Sequence, residues 1–209
     1  MAGKAHWETI YAAKSARELS WYRDRLDASL ELIERAHLPA SAAIIDVGGG
    51  ASTLVDDLLR MGFRDVTVLD LSSGALEQAR QRLGAFSESA HWMEGDVTSA
   101  HLAPQRYDLW HDRALFHFLH DAGEIGAYVT AATSAVKPDG FLILCVFAQD
   151  APAKCSGLPV QRYSAEDLAA QFPAFALVEN RREEHRTPAG VLQNFTCVLM
   201  QKRREDAGR

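Results

Sequence analysis

The sequence has 209 residues, 47% hydrophobic and 24% charged, which suits one core-forming domain and excludes a disordered chain. Its 22 basic and 28 acidic residues leave a net charge of −6, so nothing in the charge balance favours nucleic acid or another polyanion. No apolar stretch approaches the roughly 20 residues that span a bilayer, the N-terminus carries no apolar leader, and Cys145, Cys155 and Cys197 are too few and too irregularly spaced for a disulfide framework or a zinc knuckle. The expectation is a cytoplasmic protein, monomer or homodimer, with no nucleic-acid or membrane partner and no bound metal.

Ser15–His37 places Leu19, Tyr22, Leu26, Leu30 and Ile33 at steps of three or four between charged residues, which predicts an amphipathic helix ended by Pro39. Ala42–Val47 then reads as a strand buried on both faces. Helix and strand alternate from here, with a helix near Thr53–Met61, a strand Val66–Asp70, a helix Ser73–Leu83, and strands at Ala90–Glu94 and Tyr107–Asp112. This alternation specifies a parallel sheet covered by helices on both faces. A helix Glu124–Val136 stops at the turn Lys137-Pro138-Asp139-Gly140, and a buried strand follows over Phe141–Phe147. After a loop over Ala148–Arg162, Ser164 and Asp167 form a variant capping box opening a helix to about Phe172. Phe175–Glu184 and Val191–Gln201, joined by Thr187-Pro188-Ala189-Gly190, predict an antiparallel hairpin at the sheet edge, and Lys202-Arg203-Arg204-Glu205-Asp206 reads as a solvated tail.

The sharpest motif is Ile44-Ile45-Asp46-Val47-Gly48-Gly49-Gly50, a buried strand entering glycines that permit positive φ and close approach of a ligand. Asp70 closes the next strand, 20 residues after Gly50, where a carboxylate can accept from two ribose hydroxyls; capping of the following helix is its structural alternative.

These residues resemble the class I S-adenosylmethionine (SAM)-dependent methyltransferases, whose first motif is matched by Asp46-Val47-Gly48-Gly49-Gly50. Dinucleotide-binding domains carry a third glycine where this chain has Thr53, so the resemblance favours SAM over NAD. It implies an α/β, Rossmann-like three-layer sandwich with a mostly parallel seven-stranded sheet and an antiparallel terminal hairpin. It also implies Asp70 on the ribose, Leu71 beside the adenine, Asp96 accepting from the adenine amino group and the Val97 backbone N–H nearby, with S-adenosylhomocysteine as product. A fainter similarity at His6-Trp7-Glu8 and Glu18-Leu19-Ser20-Trp21-Tyr22 is to methyltransferases that modify elongation-factor lysines, and it makes Trp21 and Tyr22 candidates for covering the cofactor. An ordinary aromatic helix face is the other reading of that pair.

The expected organisation is an N-terminal helical cover, 1–39, and a methyltransferase domain, 40–209. His111, ending the fourth strand where ligands bind in open parallel sheets, is a candidate proton acceptor; a strand-end His satisfied by backbone is its alternative. His117, Arg162 and Tyr163 are candidate acceptor-binding residues, and His117 with Asp121 has the spacing of a metal pair or of ordinary polar residues on a helix face. The function so read is methyl transfer to an oxygen, nitrogen or sulfur nucleophile of a small molecule or protein side chain. An NAD-type oxidoreductase and a non-catalytic SAM-binding regulatory domain are the alternatives.

Overall fold

The structure, a computed structural model, describes residues 3–204. Its seven-stranded sheet is built from β1 (Ala43–Val47), β2 (Asp65–Asp70), β3 (Ala90–Glu94), β4 (Tyr107–Arg113), β5 (Val136–Phe147), β8 (Phe175–Arg186) and β9 (Leu192–Lys202). The order is β3-β2-β1-β4-β5-β9-β8, with every pair through β5 parallel and both pairs of β9 antiparallel. The direction of winding therefore reverses at β1, and the crevice at the carboxyl ends of β1 and β4 is where ligands bind in such sheets. The fold is the one the sequence predicts.

Alternate residues of each strand feed two cores. Ile44, Val66, Val68, Leu109 and Ile143 pack on α2 (Asp27–Arg35), α3 (Leu54–Arg60) and Leu76 of α4 (Ser73–Leu83). On the opposite face Ile45, Val47, Leu69, Trp110, Leu142 and Leu144 pack on Tyr128, Ala132 and Ala135 of α5 (Ala122–Ala135) and on Leu168 of α6 (Ala165–Gln171). Ser72 caps α4 by accepting from the Ala75 N–H at 3.1 Å, Asp121 caps α5, and the box of Ser164 and Asp167 opens α6.

Four expectations change. The helix expected over Ser15–His37 is broken into a 3-10 turn at Ala16–Glu18, an irregular stretch with a turn from Leu19 to Tyr22, and α2, preceded by a helix the sequence did not announce, α1 (Lys4–Ala13). Tertiary partners override the helical pattern. The carbonyl of Ser20 bonds His185, that of Trp21 accepts from Arg113, and that of Arg23 accepts from the Thr53 hydroxyl. Second, β5 begins at Val136, because its partner β4 shifts register between Tyr107 and Leu109 and absorbs Lys137-Pro138-Asp139-Gly140 as a bulge, with Asp139 at φ 61°. Third, the loop after β5 contains a small hairpin, β6 (Lys154–Cys155) and β7 (Leu158–Pro159), turned by Ser156 and Gly157 at φ 51° and 79°. Fourth, Cys145 and Cys197, 52 residues apart, face each other across β5 and β9 and are joined as a disulfide, a pairing that only the strand register creates.

Lys202 is not tail but the end of β9, its ammonium donating to the Thr133 and Val136 carbonyls, while Glu205–Asp206 lie outside the described residues. Among the described residues no helix is long and apolar enough to cross a membrane, and no group of three or more His, Cys, Asp or Glu is placed to hold a metal.

Candidate active site

A cleft opens at the carboxyl ends of β1 to β5, lined by Val47, Gly48, Leu69, Asp70, Leu71, Gly95, Asp96 and Val97 on one side and by Arg113, Ala114, Leu115, Phe118 and Cys155 on the other. Trp7, Tyr11 and Trp21 roof it.

Each glycine of the turn has its own reason. Gly48, at φ 68°, lies so close to Leu115 that a Cβ would come within 2.7 Å of it; a Cβ on Gly49 would sit 2.5 Å from the Asp46 carboxylate, and one on Gly50, at φ 42°, 2.8 Å from that of Asp70. The bare backbone is thus wedged between two carboxylates and the turn that follows β4. That turn is itself fixed by Asp112, which accepts from the Leu115 and Phe116 N–H groups at 2.9 and 3.1 Å and from the Tyr128 hydroxyl at 2.6 Å.

Asp70 accepts from the Ser72 N–H at 2.8 Å, and Ser72 is the helix cap, so the structural alternative for Asp70 gives way to a carboxylate on the cleft wall. Burial, with the nearby Asp46 and Glu8 charges, raises its pKa to about 7. Asp96 keeps one oxygen, Oδ1, on the Thr98 N–H and hydroxyl at 2.9 and 2.7 Å. Trp21 lines the cleft, and Tyr22 lines the adjoining hollow with Gly48, Gly49 and Arg113.

His111 does not face the cleft. Its ring is buried, Nδ1 2.7 Å from Asp46 Oδ1 and Nε2 2.8 Å from the Ser29 hydroxyl, so both nitrogens are taken. This corrects its expected role, because a base needs a free nitrogen within reach of the acceptor. The other acceptor-side candidates also lie elsewhere. His117 is fully buried between Phe118 and Phe147, where desolvation lowers its pKa to about 3. Arg162 donates to the Ala151 carbonyl, and Tyr163 packs on Phe116 away from the cleft. Asp121 is the α5 cap, which removes the supposed metal pair.

Sequence reasoning placed Trp7 and Tyr11 only within the N-terminal cover and left Arg113, Leu115 and Phe118 without roles in the cleft, which Cys155 of the loop after β5 also lines. Arg113 stood beside His111 in the strand-end triplet and was legible by position; Cys155 was legible through the Ser156-Gly157 turn that folds it inward. α1 lies over α4, where Glu8 accepts from the Ser73 N–H at 2.8 Å and the Ser73 hydroxyl at 3.1 Å, and Gln78 donates to the Tyr11 carbonyl at 2.8 Å.

Residues 44–140 match the family model described as a methyltransferase domain. The chain is 25% identical to EEF1A lysine methyltransferase 2 of Danio rerio over 95% of its own length and 86% of that protein. Among solved structures it superposes with TM-score 0.79, 19% identity and coverage of 98% and 94% of the two chains on an enzyme described under conversion of a disulfide bond into a thioacetal group during echinomycin biosynthesis. It also matches the 1,6-didemethyltoxoflavin-N1-methyltransferase of Burkholderia thailandensis with bound S-adenosylhomocysteine, with TM-score 0.69, 21% identity and coverage of 96% and 84%. Strand order, the glycine turn against Asp70 and these likenesses converge on a methyltransferase domain: residues 44–140 match that family model, and the whole chain has the fold of SAM-dependent methyltransferases.

Proposed function

We propose that this chain holds SAM along the β1–β3 half of the cleft and delivers its methyl group to a nucleophile entering over β4 and β5. The observation that carries this reading is the division of the cleft: the carboxylates, Asp70 and Asp96, follow β2 and β3, whereas the residues after β4 and β5 are apolar or cationic. The glycine turn fits the cofactor, since side chains there would collide with Asp46 and Asp70. In this reading Asp70 accepts from the ribose hydroxyls, Asp96 accepts from the adenine amino group beside the Val97 N–H, Leu71 lies against the base, and Trp21 and Tyr22 close the methyl end.

When bound, SAM supplies a methyl group already activated by the sulfonium charge. The residues then need only to align and desolvate, which accounts for most of the acceleration available to such a reaction. Trp7, Trp21 and Phe118, with Trp7 5.9 Å from Trp21 and 5.1 Å from Phe118 in edge-to-face contact, exclude water from the acceptor end. His111 acts through Asp46, holding the glycine turn. The acceptor is a small molecule or a protein side chain; the Danio rerio relative is named for lysine, the Burkholderia thailandensis one for a small heterocycle. A cytoplasmic location belongs to this reading.

The test is calorimetry with SAM, S-adenosylhomocysteine and NAD, followed by labelled SAM with cell extract separated by size. Binding of SAM and label transfer into one size fraction are expected. Binding of NAD without SAM would overturn the proposal.

A further inference from the structure

We propose that Glu183, on the edge strand β8, is a positioning residue for methyl transfer: through Arg113 and Arg23 it holds residues 20–23 in place over the cleft. This rests on the methyl-transfer reading above and adds a residue that lines neither the cleft nor the hollow beside it. Trp21 lines both, and Tyr22 and Arg23 line the hollow next to Gly48 and Gly49. Residues 20–23 belong to no helix or strand, so their carbonyls are held from outside. That of Ser20 accepts from His185 Nε2 at 2.6 Å, that of Trp21 from Arg113 Nη1 at 3.1 Å, and that of Arg23 from the Thr53 hydroxyl at 3.1 Å. Thr53 follows the glycine turn, Arg113 ends β4 and His185 stands on β8. The segment is thus tied once on the cofactor side and twice on the acceptor side.

Glu183 is where the acceptor-side ties meet. Its Oε1 accepts from Arg113 Nη2 and from Arg23 Nη1, both at 2.9 Å, so one oxygen holds the group that grips the Trp21 carbonyl and a side chain of the segment itself. Arg23 is paired with Asp27 as well, at 3.6 Å, and the use of the cluster lies in direction rather than in net charge. Arg113 and Glu183 are both nearly buried, with the guanidinium 4.3 Å over the Phe195 ring. A buried ion pair stabilises a fold no better than well-packed apolar side chains of the same volume. Apolar side chains, however, cannot donate to a main-chain carbonyl, and a planar guanidinium fixed by a carboxylate does so along one direction. Held in this way, the Trp21 backbone sets its indole edge-to-face against Trp7 and Tyr11, with ring centres 5.9 and 6.2 Å apart. Removing Glu183 leaves every cleft-lining side chain present and unfastens the one that closes the methyl end.

The test uses the full chain, with S-adenosylhomocysteine as the bound probe and labelled SAM with cell extract for transfer. Glu183→Ala removes both bonds to the guanidiniums. Glu183→Gln keeps an oxygen for them and puts its amide where Oε2, which has no partner among the described residues, now lies. Glu179→Ala is the control, because it breaks the pairs with Arg35 and Arg181 on the same strand, away from the cleft. Glu183→Ala should speed hydrogen exchange over residues 20–24 and release of S-adenosylhomocysteine by about 10- to 100-fold, the loss of a hydrogen bond to a charged group. Label transfer at saturating SAM should fall with them. Glu183→Gln should restore most of each loss, and Glu179→Ala should change none of the three. Should Glu183→Ala fail to fold, Arg23→Gln removes the direct bond from a partly exposed side chain and should speed exchange over residues 20–24 by about 2- to 10-fold. Equal effects at Glu183 and Glu179, a Gln variant as impaired as the Ala one, or unchanged exchange in Arg23→Gln assigns Glu183 to the fold and overturns the positioning role alone. A parent protein that does not bind S-adenosylhomocysteine overturns the methyl-transfer reading and this one with it.

Discussion

Asp70 sets stability against binding at a single carboxyl. Its pKa of about 7 stands above the ordinary 3.8 because burial disfavours the charge. A raised pKa contributes stability that is complete below 3.8 and is lost as pH rises through about 7. Ribose hydroxyls need the ionised form as acceptor, so affinity runs the other way. Calorimetry should show SAM affinity falling by up to about tenfold per unit below pH 7, and Asp70→Asn should bind about 1.5–3 kcal/mol more weakly with no such pH dependence. The ligand-free variant should melt higher than the parent at pH 8. A parent whose SAM affinity is flat from pH 5 to 8 would remove Asp70 from the ribose site.

His111 separates base chemistry from positioning. Ser29, His111 and Asp46 lie in line at 2.8 and 2.7 Å, all three buried, and the second Asp46 oxygen has no partner beneath Gly49. Ser29→Ala should cost about 1–3 kcal/mol of stability by orphaning Nε2, and His111→Phe about 3–5 kcal/mol by leaving the Asp46 carboxyl unpaired. Both should weaken SAM binding through the glycine turn while kcat at saturating SAM and acceptor stays near the parent's. Parent-like SAM affinity with a thousandfold loss of kcat would restore His111 as the base.

At the scale of elements, strands and their order were legible because a parallel sheet buried on both faces writes continuous apolar runs, as in Ala42–Ile45 and Leu142–Phe147. The segment before β1 was not. Leu19, Leu26, Leu30 and Ile33 keep a helical period, yet the carbonyls of Ser20, Trp21 and Arg23 are claimed by His185, Arg113 and Thr53, partners up to 165 residues away. Periodicity sees only neighbours in sequence. The cofactor half of the site was legible for the reason the strands were, since its residues stand at strand ends in motif order; the acceptor half gathers Trp7, Arg113 with Phe118, and Cys155 from three separate segments.

Besides the aromatic contacts of Trp7 and Tyr11, α1 is held by a polar latch, with Glu8 at the start of α4, Lys4 paired with Glu94 and Gln78 on the Tyr11 carbonyl. Such a latch opens cheaply. Glu8→Ala should speed hydrogen exchange over residues 4–14 by about 2- to 30-fold, the equivalent of losing one helix-cap interaction. Exchange there should slow in both proteins when S-adenosylhomocysteine is added. Exchange unchanged by the mutation would show that the aromatic contacts of Trp7 and Tyr11 alone hold the helix.

For the whole molecule the question is where the cover ends and the folding unit begins. The expected boundary at residue 39 falls after α2, but Leu26, Leu30, Leu32 and Ile33 belong to the same core as Ile44, Val66, Leu109 and Ile143, and α2 packs on β5, β8 and β9. Residues 4–22 contribute only Tyr11 and Leu19 as buried hydrophobics, in a small satellite cluster over Ala51 and Ala75. Burying four aliphatic side chains is worth about 6–12 kcal/mol at about 1.5–3 each, as much as the whole net stability of a typical domain. Deleting residues 1–39 should therefore leave a chain with no cooperative melt. Deleting residues 1–22 should leave a folded domain that binds SAM more weakly and turns over no acceptor, because Trp7, Tyr11 and Trp21 are gone from the cleft roof. Circular dichroism melts and calorimetry on the two truncations distinguish these outcomes. A cooperative melt for the longer deletion would move the boundary back to residue 39 and make α2 part of the cover, and full turnover by the shorter one would show that the roof has no part in the transfer.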